Sequence, residues 1–473
     1  MTVEAAAQLA YLVSVALFVV GLKRLASVRT ARQGNLLLAS GMGLAVIVTL
    51  VEQGRLSYQW IILGVAIGTG LGVLTVVRAT ATSMPQVVAR FNGYGGAASA
   101  LVALALFAQE LVVPGADSVL VRLGATSAST LAVSIIIGMA TFSGSVIAEA
   151  KLWGSLRRLG RVPGRFVLLL LTGLLAIGAA GAALVLDDVV HASVAAGVLA
   201  LMTLAIGILI VAPVGGADMP VMISLLNSLS GLAAAATGFA LGNVLLIMAG
   251  TIVGAAGLML TLIMCRAMNR TLGNVLAGGL GSEDAADGDE ATTYENIVAS
   301  DPEEAAMVLE VARSVIIVPG YGLAAARGQH AAAELADALA ARGVDVRFAI
   351  HPIAGRMPGH MNVVLAEADV PYERLVEMDQ INRDFAQTDV VIVVGANDVI
   401  NPAARQASGT PIAGMPILEV DQAQRILVIK RSLSPGYSGI KNELFEEDHC
   451  TMLFGDAKQV LDELVGELAA NPA

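Results

Sequence analysis

Two kinds of residue in this sequence have the type and spacing to do chemistry. The first kind surrounds a glycine-rich turn. Ser314–Val318 is an apolar strand-like run that leads directly into Pro319-Gly320-Tyr321-Gly322-Leu323-Ala324-Ala325 and then a helical pattern over Ala324–Arg342. This is G-x-G-x-x-A between a strand and a helix: Gly320 permits the turn, Gly322 lets backbone approach a pyrophosphate, and the small Ala325 lets helix and strand pack. Such a turn binds a dinucleotide. An acidic residue at the end of the next strand would hold the ribose 2′-hydroxyl of NAD; here that strand ends Ala349-Ile350-His351-Pro352, without a carboxylate. Lys430-Arg431 instead closes the fifth apolar run, and arginine's forked donors suit a 2′-phosphate, which favours NADP over NAD. Two more segments have ligand-contacting composition. His351–His360, which includes Arg356, mixes cationic groups with turn formers. Gly395-Ala396-Asn397-Asp398 ends a strand, where open α/β sheets bind ligands. No Ser/His/Asp, Cys/His or metal-ligand spacing accompanies them, so the cofactor carries the chemistry and the protein positions it.

The second kind comprises polar residues inside apolar runs, where each is costly and therefore a candidate for function. Asp218 opens one run, Asn227 lies nine residues further on, Asn92 lies within another beside Arg90, and Glu149 closes a third. Together they have the chemistry to line a hydrated path for a proton or small ion. Asp218 has a structural alternative as a helix N-cap, and the asparagines as interhelical hydrogen bonds.

The elements that must position these residues fall into two parts. Up to Arg270 there are 15 Lys/Arg against 8 Asp/Glu; from Thr271 onward there are 13 against 31. The overall net charge of -11 is thus a membrane-like part at +7 and an acidic part at -18, and describes neither. A span needs roughly 20 apolar residues. Nine runs qualify, at about 6–22, 36–51, 58–77, 85–109, 125–148, 166–186, 190–212, 217–240 and 243–265. The first is followed by Lys23-Arg24 rather than a small-residue cleavage site, so it reads as a span and not a signal peptide. Lys and Arg concentrate in alternate gaps, which places the N-terminus outside and the C-terminal part in the cytoplasm. Glycines at 64, 68, 72, 93, 95, 96, 250 and 254 predict close helix packing.

Residues 1–270 therefore form a polytopic α-helical membrane domain, 271–295 a linker, and 296–473 a Rossmann-like α/β domain. In the last, strands are expected at Ser314–Val318, Val344–Ile350, Val390–Val394, Ile417–Val420, Ile426–Ile429 and Thr451–Phe454. Helices are expected at Ala324–Arg342, Asp379–Ala386 and Ala457–Leu468, giving a parallel sheet with helices on both faces. With 56% hydrophobic residues the chain is not disordered, and Cys265 and Cys450 are too few for a disulfide framework. Five histidines argue against a multi-histidine metal site, and the acidic balance against nucleic acid.

The sequence resembles the beta subunits of proton-translocating nicotinamide nucleotide transhydrogenases over essentially its whole length. The resemblance rests on GGADMP (215–220), SLLNSLSG (224–231), PGYG (319–322), HPIAGRMPGHMN (351–362), LAEADVPY (365–372), GANDVINPAA (395–404), IAGMPILEV (412–420), KRSL (430–433), GYSG (436–439) and MLFGDAK (452–458). It implies an oxidoreductase of a bacterial inner membrane that couples hydride transfer from NADH to NADP⁺ with proton movement. NADP(H) would be held here and NAD(H) on a partner alpha component that brings further membrane helices, in a dimer of alpha–beta units without metal. It also implies that Gly320, Tyr321, Gly322 and Ala325 border the pyrophosphate and that Lys430 and Arg431 grip the 2′-phosphate. His351 and Arg356 would lie at the nucleotide, Arg356 on its phosphates; Gly395, Ala396, Asn397 and Asp398 would reach its nicotinamide end, with Asp398 the catalytic candidate. Gly436 and Tyr437 would belong to a loop covering the nucleotide. Asn92, Asp218 and Asn227 would serve proton coupling. Many members carry histidine where this chain has Asn92, which cannot titrate; the relay histidine is then expected from a partner span. The competing reading is an ion channel or transporter gated by a nucleotide-sensing domain.

Overall fold

The computed structural model describes residues 3–25, 28–53, 58–113, 118–156, 164–216, 218–277, 294–357, 359–406, 410, 412–436 and 438–470. Residues 278–293 of the expected linker 271–295 lie outside them. The chain divides into two compact units, Met1–Ala79 with Gln86–Pro213 and Met222–Leu260, and Thr80–Pro85 with Val214–Val221 and Thr261–Ala473.

Among the described residues nine helices are long and apolar enough to span a membrane: α1 (Val3–Leu25), α2 (Val28–Gln53), α3 (Tyr58–Val77), α4 (Met84–Val112), α5 (Val119–Leu152), α6 (Arg165–Val185), α7 (Val189–Val211), α8 (Met219–Leu241) and α9 (Val244–Ala267). They coincide with the nine apolar runs. Glycine packing holds for part of the set. A Cβ on Gly96 would sit 2.7 Å from the Gly138 carbonyl oxygen, and one on Gly250 2.4 Å from the Ala235 nitrogen, so α4 meets α5 and α8 meets α9 at backbone distance. Gly64, Gly68 and Gly72 differ: α3 buries no residue, and none of the described residues comes within 4 Å of the Cβ positions of these glycines.

One helical turn, α10 (Leu272–Leu276), capped by the Thr271 hydroxyl, opens the segment expected as linker. The α/β part follows as β1 (Val298–Ala299), α11 (Pro302–Glu310), β2 (Ser314–Pro319), α12 (Tyr321–Ala325), α13 (Gln329–Ala341), β3 (Asp345–Ile350), α14 (His360–Glu367), β4 (Leu375–Glu377), α15 (Met378–Ile381), β5 (Val390–Val394), β6 (Arg425–Lys430), β7 (Cys450–Phe454) and α16 (Ala457–Ala470). All seven strands are parallel in the order β1-β7-β6-β5-β2-β3-β4. From β2 onward this is the Rossmann order, with β1 added at one edge.

Alternation along the strands splits the core. Val315, Ile317, Ile392, Leu427 and Ile429 face α11–α14 and α16 through Leu309, Leu335, Leu365 and Leu461. Ile316, Val318, Val391, Val393 and Val428 face the other way, onto Ile381, Phe385, Leu418 and Phe445. Helices on both faces were expected; the second face is instead covered by the single turn α15, 3₁₀ turns and extended chain. Ile417–Val420, expected as a strand, is part of that cover and pairs with no strand.

The glycine-rich turn also departs from expectation. The helix expected over Ala324–Arg342 is broken after α12: Arg327 takes φ 54° and Gly328 precedes α13. Ala325 is exposed, and the packing role expected of it falls to Ala324, 1% exposed.

Candidate functional site

The order reverses between β2 and β5, whose C-terminal ends define the switch point where such sheets bind ligands. Every nucleotide-binding residue named from the sequence that is described lies in a segment leaving the C-terminal end of β2, β3, β5 or β6. Tyr437 lies outside the described residues.

Two loops interlock at the switch point. Gly320 N–H donates to the Val394 carbonyl at 2.9 Å, Gly322 N–H to the Gly395 carbonyl at 2.9 Å, and Gly395 N–H to the Ile429 carbonyl at 3.1 Å. The loops are close enough that a Cβ on Gly320 would lie 2.3 Å from the Gly395 oxygen and one on Gly322 2.6 Å from the Gly395 Cα. Both fingerprint glycines are thus demanded by a second loop of the same domain. Gly395, with φ 65°, is the third member, and nothing in G-x-G-x-x-A announces it.

On the β3 side, the Arg356 guanidinium lies 4.3 Å over the Tyr321 ring, and the His360 ring lies 6.2 Å from the same ring. Sequence-named Arg356 and Tyr321 are therefore brought together. His351 is not the cationic group expected from its segment. It is 2% exposed, its Nε2 donates to the Pro416 carbonyl at 2.9 Å and its Nδ1 accepts from Ile353 N–H at 3.3 Å. Burial pushes its pKa down to about 4, so the ring is neutral, with the proton on Nε2. The unfolded chain, with histidine near 6.5, takes up that proton first as pH falls. The neutral ring's contribution is therefore fully present above pH 6.5 and lost as pH falls through 4. This amounts to about 3 kcal/mol. His351→Gln is expected to flatten this part of the pH dependence of the unfolding midpoint; an unchanged wild-type slope would refute the assignment.

At the β5 end, Asp398 accepts from the Ser438 hydroxyl at 2.6 Å and the Ser438 N–H at 3.0 Å. A Cβ on Gly436 would lie 2.4 Å from Asp398 Oδ1. Asn397, with its amide turned so that oxygen meets donors, accepts from Gly436 N–H at 2.6 Å and Lys430 Nζ at 3.2 Å. Asn442, fully buried, donates its Nδ2–H to the Asn397 carbonyl at 3.2 Å. Ala396 is 4% exposed. Gly395–Asp398 and Gly436 are thus one assembly. Ser438 and Asn442 belong to it, although no spacing rule singles them out.

Lys430 and Arg431 separate. Lys430 Nζ donates to the Ser434 carbonyl at 2.6 Å and lies 5.0 Å over the Phe445 ring. Desolvation, partly offset by Asp398, pushes its ammonium down to about 8. Arg431 is exposed and forms no ion pair among the described residues.

The membrane candidates divide as well. Asn92, 7% exposed on α4, donates its Nδ2–H at 3.1 Å to the Ile223 carbonyl on α8, one turn before Asn227. Arg90 Nε donates to Glu149 at 2.9 Å, so these two charges compensate each other. Asp218 is fully buried, and Arg270 Nη1 donates to its Oδ2 at 2.7 Å. The sequence pointed to Asp218 but not to its partner 52 residues on. A buried Ser134–Thr237 hydrogen bond of 2.6 Å between α5 and α8 was also not foreseen. Among the described residues no group of three or more His, Cys, Asp or Glu has the arrangement to hold a metal ion.

Comparison with known proteins supplies the remaining evidence. Residues 7–467 match the family described as NAD(P) transhydrogenase beta subunit. Two relatives, each named NAD(P) transhydrogenase subunit beta, come from Rhodospirillum rubrum and from a designated strain of it. Each is 44% identical over 460 residues, covering 96% of this chain and 97% of the relative. With nine apolar helices among the described residues, a Rossmann-ordered parallel sheet and a match over nearly its whole length, this chain belongs to the NAD(P) transhydrogenase beta-subunit family.

Proposed function

We propose that the chain binds NADP(H) at the β2/β5 switch point and couples hydride transfer between NADH and NADP⁺ to proton translocation, generating NADPH. The observation that carries the nucleotide assignment is the position of an exposed arginine, Arg431, at the end of β6, with no ion-pair partner among the described residues. It flanks a glycine-interlocked switch point that offers no carboxylate at the end of β3 for a ribose 2′-hydroxyl. When bound, the nicotinamide ring supplies hydride acceptance and donation. The chain's own residues do the rest. Gly320, Gly322 and Gly395 fix the crevice, and Arg356 over Tyr321 offers a cation to the phosphates. Ser438 holds the Asp398 carboxylate in one orientation.

We assign residues 1–270 to the membrane domain and 296–473 to the NADP(H) domain, with the N-terminus outside and the C-terminal domain cytoplasmic in a bacterial inner membrane. The alternate-gap lysines and arginines support this orientation. NAD(H) is held by an alpha component, which adds membrane helices in a dimer of alpha–beta units. Asn92 and Asn227 organise the proton path without titrating; the relay histidine belongs to a partner span.

The test is direct titration of the purified full-length chain with NADPH and NADH, followed by hydride-transfer assay after addition of the alpha component. Preference for NADPH and transfer that acidifies one side of sealed vesicles are expected. Nucleotide binding with ion flux but no transfer would establish the gated-transporter alternative.

A further inference from the structure

We infer that His360 is the positioning residue for Arg356: its buried ring fixes the backbone of Arg356 so that the guanidinium stands over Tyr321 beside the glycine-rich turn. The inference rests on the reading of Arg356 as the cation that meets the NADP(H) phosphates, and deepens it.

His360 opens α14 and is fully buried. Its Nδ1 accepts from the Arg356 N–H at 2.8 Å. A backbone N–H bonds only to a ring nitrogen with a lone pair, so Nδ1 carries no proton. The His360 N–H donates in turn to the Met357 carbonyl at 3.2 Å. Between ring and chain there is room for glycine alone: a Cβ on Gly355 would lie 2.4 Å from His360 Nδ1, 2.6 Å from its Cβ and 2.7 Å from its Cγ. Gly355 also has φ 104°, a conformation that favours glycine. Residues 355–357 are thus held by one histidine, and the middle one is Arg356.

The side chain of that middle residue reaches the crevice. Its guanidinium lies 4.3 Å over the Tyr321 ring, and Tyr321 follows Gly320 in the turn that approaches a pyrophosphate. The His360 ring lies 6.2 Å from the same tyrosine ring. His360 therefore neighbours Tyr321 directly and Arg356 through its backbone, which fixes the cation relative to the turn. His351 shows what a purely structural histidine does in the same segment. Its Nδ1 accepts from the Ile353 N–H at 3.3 Å, and Ile353 packs against the core. The two rings make the same kind of bond, but only the bond to His360 holds a residue whose side chain reaches the crevice. An arginine on an unpinned turn must be ordered when phosphates bind, and that entropic cost falls on affinity.

The test is NADPH titration of the full-length chain carrying His360→Gln, Arg356→Ala or both. Arg356→Ala, which loses charge-assisted hydrogen bonds to phosphate, is expected to weaken binding about thirtyfold. His360→Gln carries its amide to where Nε2 stood and leaves the Arg356 N–H without its acceptor; a loss of about tenfold is expected. In the double variant the loss should stay within about twofold of Arg356→Ala alone, because His360 acts through the arginine. His360→Asn, whose Oδ1 can take the place of Nδ1, is expected to bind within about threefold of wild type. His360→Leu repeats the deletion with an apolar side chain if the glutamine variant does not fold. Additive losses in the double variant would overturn the inference, since the ring would then support the crevice independently of Arg356. So would wild-type affinity in His360→Gln, or an asparagine variant as weak as the glutamine one. Wild-type affinity in Arg356→Ala is a different result, and would refute the reading of Arg356 on which the inference rests.

Discussion

Replacing Gly395 with alanine is expected to destabilise the α/β part by about 2–5 kcal/mol and to weaken NADPH binding more than a hundredfold. Two costs combine. A left-handed backbone at φ 65° costs an alanine about 1–2 kcal/mol. The added Cβ would also lie 2.3 Å from Gly322 Cα, 2.7 Å from its carbonyl carbon and 2.8 Å from Leu323 nitrogen. These are backbone atoms, with no rotamer to yield, so the loops after β2 and β5 must part. Overpacking of this kind costs about 1–3 kcal/mol. Parting them also strains the Gly322 N–H to Gly395 carbonyl bond at the switch point. Gly343 provides the control. It has φ 85°, yet no described residue lies within 4 Å of its Cβ position, so Gly343→Ala should incur only the backbone term. Chemical unfolding and NADPH titration of both variants separate the contributions. A Gly395→Ala protein as stable as Gly343→Ala would show that the loops do not interlock.

The example also marks where sequence reading reaches its limit. Gly320 and Gly322 are legible because a local spacing encodes a local turn. Gly395 lies more than 70 residues away, and its demand for glycine comes from a contact between loops. The central strands announce themselves because strands buried on both faces read as continuous apolar runs, such as Val390–Val394. β1 and β4, with two and three residues at the sheet edges, are too short to carry a pattern. Ile417–Val420 carries the pattern of a strand without being one. Leu418 and Val420 are buried because this extended segment lies across the second face of the sheet, and burial alone does not distinguish a strand from its cover. Alanine periodicity hid the break between α12 and α13. The break is tertiary in origin: a Cβ on Gly328 would meet Lys458 backbone, at the start of α16, at 3.3 Å. The nine spans needed no such information, since length and hydropathy alone define them.

The second large effect concerns Asp218 and Arg270, where the order of the variants is more informative than any single one. Asp218 is the more buried partner, with 1% of its side chain exposed against 20% for Arg270, and its Oδ1 has no hydrogen-bond partner among the described residues. Breaking a buried pair costs about 3–5 kcal/mol because one charge is left uncompensated. Arg270→Ala strands the charge that has no access to water and belongs at the upper end. Asp218→Ala strands a guanidinium that retains some solvent contact and belongs at the lower end. The double alanine variant strands neither and should be more stable than Arg270→Ala alone, which is the signature of direct coupling. In thermal unfolding of the solubilised full-length chain, Arg270→Ala is expected to lower the midpoint by roughly 5 °C and Asp218→Ala by roughly 3 °C. Additive losses in the double variant would mean that the two residues act independently. The same cycle bears on coupling: if the pair matters as a unit, vesicle acidification should fall in both single variants by more than their NADPH affinities do. A position whose removal affects only stability would lower the two together, because fewer molecules are folded. A selective loss of proton movement would instead place this ion pair in the linkage between the membrane helices and the redox reaction.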